Sequence, residues 1–163
     1  MPESQIAINH IPTREAETST LTRRSYHTPI EPIFFTPTYC GHYICKKEYL
    51  IDRVLSGMYL ILATTAGSGT LEYEGGKYQL TPGSVMLIDC KKHHRYHAEK
   101  DGWEFFYTHF EGGMSEEYVN YLAPAMPVIE LPARLFVGVT EKLGQILELC
   151  DKPSAGSDEA ILS

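Results

Sequence analysis

Three histidines within five positions, His93, His94 and His97 of "CKKHHRYH", raise metal chemistry first. A catalytic metal site needs three protein ligands converging on one point. In a strand, alternation lets only one or two of these side chains point the same way. The preceding runs "MYLILATT" and "TLEYEG" hold no histidine that could complete the set, and Cys40, His42 and Cys45 of "CGHYIC" lack the two-residue spacing of zinc knuckles. The "GSG" at 67–69 has no strand-to-helix context for a nucleophile elbow, and no Ser-His-Asp or Cys-His arrangement stands out. The expectation is therefore no metal, no cofactor, no catalytic residue and no enzyme.

A second chemistry lies in the aromatic residues. In "WEFFYTHF", Trp103, Phe105, Tyr107 and His109 share one face of a strand, with Glu104, Phe106, Thr108 and Phe110 on the other. His94 pairs with Tyr96, opposite Arg95 and His97, and Tyr49, Ile51 and Arg53 share a face of "YLIDR". Aromatic faces stack on the C–H patches of a sugar, while Arg, His and Tyr hydroxyls bond its oxygens. The plainer alternative is that these rings simply fill a small barrel. Arg53 weighs against that, because an inward-facing charge needs a partner.

Residues 33–112 supply the strands that would position such a set. Runs rich in Tyr, Ile, Leu, Phe and Thr are cut by "TPT", "LSG", "AGSG", "EGG", "TPG" and "EKDG", each read as a chain reversal. Gly75-Gly76 would turn the hairpin "LEYEGGKYQL", and Pro82-Gly83 a second turn. Seven or eight short strands at this spacing mean a barrel or sandwich. Residues 1–32 are polar, with Pro12, Pro29 and Pro32, and read as an arm over the surface.

The period changes to helical over 113–163. A short helix is expected near 115–123. A longer one over 133–150 carries the stripe Leu135, Phe136, Val139, Leu143, Ile146, Leu147 and Cys150, with Pro132 at its start. The closing "SDEAILS" opens like a helix and stops after about one turn, too little to stand alone. A chain cut mid-helix is expected, with a ragged natural terminus as the alternative.

Composition narrows the partners. A 163-residue chain with net charge −7 lacks the basic face that displaces counterions from phosphates, so it does not itself grip DNA. The longest apolar run, Met58–Ala63, cannot span a bilayer, and the N-terminus has no apolar signal core, which points to the cytoplasm. Cys40, Cys45, Cys90 and Cys150 sit at irregular spacings that suit reduced thiols.

The ordered set "YLIDR" (49–53), "GSG" (67–69), "YQLTPGSVMLID" (78–89), "HRY" (94–96) and "WEFFYTHFEG" (103–112) resembles the N-terminal domain of AraC-type transcription regulators over roughly residues 33–150. The resemblance implies a mainly β, cupin-like double-stranded β-helix (a jelly-roll barrel) followed by C-terminal α-helices that make a homodimer. It also implies a small-molecule effector, often a sugar, inside the barrel under the N-terminal arm. It further implies a C-terminal helix-turn-helix DNA-binding domain outside this chain, with a transcription activator as the leading reading and repression left open. By motif, Arg53 becomes the effector-contacting arginine and Tyr96 lies in the pocket with His94. Trp103, Phe105 and Tyr107 form the inward set, beside Tyr49 and Ile51. Phe105 and Tyr107 stand where the best-known sugar-sensing member has His and Trp, which leaves the ligand open. The H-x-H and Glu of metal-binding cupin enzymes are missing. The rival reading is a stand-alone cupin enzyme, such as a sugar isomerase or a metal-dependent dioxygenase. In a helix-paired dimer, Leu143 would approach its symmetry mate.

Overall fold

A computed structural model describes residues 18–23, 35–55, 57–122 and 126–151. Its strands are β1 (Thr18–Arg23), β2 (Thr36–Cys45), β3 (Leu50–Arg53), β4 (Tyr59–Tyr73), β5 (Gly76–Leu80), β6 (Ser84–Asp89), β7 (His94–Glu111) and β8 (Val128–Glu130). Helix α1 (Ser115–Leu122) precedes β8, and α2 (Ala133–Asp151) follows it. The strands run in the order β1-β2-β7-β4-β6-β8, with β3 added to β7 and β5 to β4, and every pairing is antiparallel.

One long ribbon makes the barrel. The first half of β4 pairs with the second half of β7 (Tyr59↔Phe110 to Gly67↔Trp103), and the remaining halves pair from Gly69↔Ala98 to Tyr73↔His94. Between them the register slips twice, at Thr64/Ala66 and Gly67/Gly69. Bulges bend a strand and sharpen its twist without ending it. One half of the ribbon continues into β2, β6 and β8, the other into β3 and β5. The main core is shared between the two: Leu60, Leu62, Met86, Ile88, Trp103, Phe105 and Tyr107 from one, Tyr49, Ile51, Leu71, Leu80 and Tyr96 from the other. This is a cupin-like double-stranded antiparallel barrel.

The bend corrects two expected reversals: "AGSG" lies inside β4 and "EKDG" inside β7. Gly67 has φ 64° and Gly102 has φ 85°, and a Cβ on Gly67 would collide with the Gly102 carbonyl. A Cβ on Gly69 would lie 2.8 Å from the Trp103 indole. These glycines let two backbones cross closely at the fold in the ribbon. The β4–β5 hairpin also shifts by one residue. Its turn is Glu74-Gly75, with φ 50° and 78°, and Gly76 already pairs with Tyr73. The Thr81–Ser84 turn forms as expected, with Gly83 at φ 98° and the Ser84 N–H donating to the Thr81 carbonyl.

Two strands go beyond the local pattern. In the arm, "TSTLTR" pairs with β2 along its whole length, where an unpaired strand edge would otherwise present free N–H and C=O groups. Strand β8 extends the opposite edge on β6. The rest of the arm and the closing "SDEAILS" lie outside the described residues.

Both helices pack on the outer face of the barrel. Val119 of α1 is buried with Tyr59, Leu87 and Phe110. On α2, Leu143 packs with Ala63 and Val85, and Leu147 and Cys150 pack with Cys40 and Phe106. Burial of Leu143 and Leu147 stabilises α2 by roughly 1.5–3 kcal/mol per side chain. Pro132 starts α2 as expected, its carbonyl accepting from the N–H groups of Leu135 and Phe136.

Candidate functional site

Alternation along β3 and β7 turns one set of side chains into the barrel, and the register Ile51↔Tyr96 and Arg53↔His94 brings the two strands' contributions side by side. Tyr49, Ile51, His94, Tyr96, Trp103, Phe105 and Tyr107 are all buried there, and Arg53 is half-buried at the end of β3. Tyr96 meets Trp103 edge-on at 6.0 Å, Trp103 meets Phe105 at 4.2 Å, Phe105 meets Tyr107 at 6.1 Å, and His94 lies nearly parallel to Tyr96 at 6.1 Å. Tyr49 touches Tyr96, Trp103 and Phe105. The eight residues singled out in the sequence therefore gather in and at the edge of one interior.

Some of these rings have their polar groups satisfied within the protein. The Trp103 indole N–H donates to Thr64 Oγ1 at 3.1 Å, and the Tyr107 hydroxyl to the Tyr43 hydroxyl at 3.3 Å. Trp103 and Phe105 are 2% and 1% exposed, which makes them a wall packed from both sides. The rings fill the barrel, as the plainer reading has it, and they back a polar end.

At that end stand Arg53, His94 and His109. Arg53 Nη2 donates to His109 Nε2 at 3.2 Å. A guanidinium can only donate, so His109 Nε2 is the acceptor and Nδ1 carries the proton. His94 Nδ1 lies 2.9 Å from the Lys92 carbonyl, which can only accept, so His94 Nε2 keeps a bare lone pair. Burial lowers the His94 pKa to about 4, and burial followed by the Arg53 charge holds His109 well below the ordinary histidine value. Both rings are neutral at pH 7, in agreement with those tautomers. Of the six buried side-chain atoms without a hydrogen-bond partner among the described residues, three are at this end, Arg53 Nε, His109 Nδ1 and His94 Nε2, and the others are hydroxyls of Thr65, Ser84 and Thr108.

Burial works against the Arg53 charge, and the surrounding acids Tyr96, Cys90, Tyr49 and Tyr107 outweigh it and raise the pKa. Those acids are uncharged at neutral pH. Burial pushes Tyr96 and Cys90 up to about 12 and raises Tyr49 and Tyr107. Asp52, the next residue, faces the other way and pairs with His93 at 2.7 Å and Arg95 at 3.7 Å. Among the described residues no three His, Cys, Asp or Glu side chains are grouped to hold a metal. His42, His93 and His97 lie away from this end, on Glu104, Asp52 and the Ala98 carbonyl.

His109 and Tyr43 complete the arrangement without having been singled out as site residues. The signal for His109 was present, since it continues the alternation Trp103, Phe105, Tyr107. Tyr43 enters through the pairing Tyr43↔Phe105, which no local pattern announces.

The fold and this interior define a cupin-like barrel with a polar, aromatic-backed end. Residues 37–150 match the family described as AraC-like ligand binding domain, and the chain belongs to that family. No curated protein sequence matches the chain significantly. Among solved structures it is similar to YhaK from Escherichia coli, at 9% identity and a TM-score of 0.50, covering 60% of this chain and 46% of that one. It is also similar to the cupin domain of an XRE family transcriptional regulator from Enterobacter cloacae (13% identity, TM-score 0.43, 57% of this chain and 95% of that one). Ectoine synthase from P. lautus is a third (16% identity, TM-score 0.43, 74% and 81%). At 9% identity the likeness to YhaK speaks to fold alone.

Proposed function

We propose that the chain is the effector-sensing and dimerisation part of an AraC-type transcription regulator. In this reading it binds a small carbohydrate-like molecule inside the barrel and controls DNA binding by a separate helix-turn-helix domain. The observation that carries the reading is the family match over residues 37–150 on a barrel whose polar end leaves Arg53 Nε, His94 Nε2 and His109 Nδ1 without partners. Buried polar groups are nearly always hydrogen-bonded, so a cluster of exceptions suits a place where a ligand supplies the bonds.

Non-enzymatic function belongs to the same proposal. Burial holds the interior thiols Cys45 and Cys90 up at about 12, so they stay protonated and are poor nucleophiles at neutral pH. The rings offer stacking faces and the polar atoms offer hydrogen bonds, which is what binding requires.

Dimerisation is supported by apolar surface beside the helices. An open groove of about 700 Å³ is lined by Phe35, Tyr118, Leu122, Leu135, Val139 and Ile146, among others. Tyr118, Leu122 and Leu135 are exposed at its rim, 53%, 47% and 58% accessible, and offer apolar surface to a second protomer.

A thermal-shift screen against mono- and disaccharides tests the effector reading, because a ligand of the folded state raises its apparent stability. A sugar that raises the melting temperature of the wild type and not of Arg53→Ala is the expected result. A sugar whose effect is untouched by Arg53→Ala and by Tyr96→Phe moves the binding site elsewhere.

A further inference from the structure

The polar end of the barrel has a definite donor and acceptor pattern, and the pattern constrains what can fill it. Arg53 Nε–H and His109 Nδ1–H are donors without acceptors, and His94 Nε2 is an acceptor without a donor. Both histidines are almost fully buried, at 0% and 4% exposure, so bulk water is a poor substitute partner. No described carboxylate pairs with Arg53. The adjacent Asp52 is engaged by His93 and Arg95, and Asp89 lies near Lys91. A neutral sugar hydroxyl could accept from Arg53 but would leave its half-buried charge without a counter-charge.

We propose that the ligand of this barrel is a hydroxy acid. Its carboxylate sits against the Arg53 guanidinium, one hydroxyl oxygen accepts from the His109 Nδ1–H, and a hydroxyl donates to His94 Nε2. Among carbohydrates this selects sugar acids, the aldonates and uronates, over neutral sugars. The planar guanidinium fork matches a carboxylate in shape as well as charge. The neutral Tyr96, Tyr49 and Tyr107 around it contribute no competing charge and stack on the carbon skeleton. This proposal rests on the reading of the barrel interior as the effector site, and it adds the sign of the ligand's charge.

Two measurements on the full chain decide it. In the first, calorimetric titration compares matched sets: galactose, galacturonate and galactose 6-phosphate; glucose, gluconate and glucose 6-phosphate. In at least one set the acid should bind tightest, by roughly 10- to 100-fold over the neutral sugar, and Arg53→Gln should erase that preference. A neutral sugar or a sugar phosphate binding as tightly as the acid overturns the carboxylate assignment and leaves effector binding intact.

The second measurement needs no ligand. Arg53 has no carboxylate partner among the described residues, so Arg53→Gln, which keeps a donor for His109, should melt close to the wild type, whereas breaking a buried ion pair lowers stability sharply. A melting temperature several degrees below the wild type would show that the chain itself already supplies the counter-charge, and would overturn the proposal. Silence from every sugar and sugar acid overturns this proposal and the carbohydrate reading together, whatever the melting temperature of Arg53→Gln.

Discussion

His94 shows how one side chain can link binding and stability. Its pKa is lowered to about 4 in the folded protein, with burial the largest cause, against about 6.5 for an unperturbed histidine. Between those values the unfolded chain binds more protons than the folded one. The stabilisation is therefore complete above pH 6.5 and is lost as pH falls towards 4, roughly 3 kcal/mol in all. His109 acts in the same direction. The charges that act on His94 are those of Arg53 and His93, which oppose its protonation, and of Asp52, which favours it. Melting curves between pH 7 and 5, where most carboxylates keep their charge, should slope less steeply for His94→Gln than for the wild type. Parallel slopes would mean that His94 is already solvated or charged in the native state.

At the scale of elements, the bend in the β4–β7 ribbon is the feature on which the barrel depends. Gly67→Ala adds a methyl group against the Gly102 carbonyl at a φ of 64°, and should cost more than about 2 kcal/mol in urea unfolding. Gly75→Ala is the matched control, because φ is 78° there but the space is open, so only the backbone cost of roughly 1 kcal/mol applies. Equal losses at the two sites would remove the close crossing as the reason for glycine. The helix α2 shows a different compromise. Its stripe splits, with Leu143, Leu147 and Cys150 turned to the barrel and Leu135 left exposed.

That split decides how dimerisation should be tested in the whole molecule. Leu143 is only 5% exposed and packs on Ala63 and Val85, so Leu143→Glu would unfold the protomer rather than separate a pair of protomers. The exposed Leu135 and Leu122 are the informative positions. In the proposed dimer, Leu135→Glu and Leu122→Lys should each give a folded monomer by sedimentation, with the wild-type far-UV spectrum retained. A wild-type chain that sediments as a monomer at tens of micromolar, or dimers unmoved by both substitutions, would place the interface elsewhere. The same acidic molecule, with net charge −7, should show no salt-sensitive DNA binding of its own.

Local pattern carried the inward faces of β3 and β7, both helices and the Thr81–Ser84 turn, because alternation, helical period and the φ needs of Pro and Gly are properties of a few neighbouring residues. It also carried the chemistry of the candidate site, since Arg53, His94 and Tyr96 follow from which face each occupies. Other features depended on partners distant in the chain. Gly67 reads as a turn until Gly102 is seen crossing it, and "TSTLTR" reads as polar arm until the open edge of β2 lies beside it. Likewise the stripe of α2 has no inside until the barrel covers Leu143. His109 becomes a site residue through the guanidinium of Arg53, 56 positions away, whose bond chooses its tautomer and leaves one N–H unanswered. Periodicity names the face a side chain occupies, and only the assembled barrel determines what that face meets.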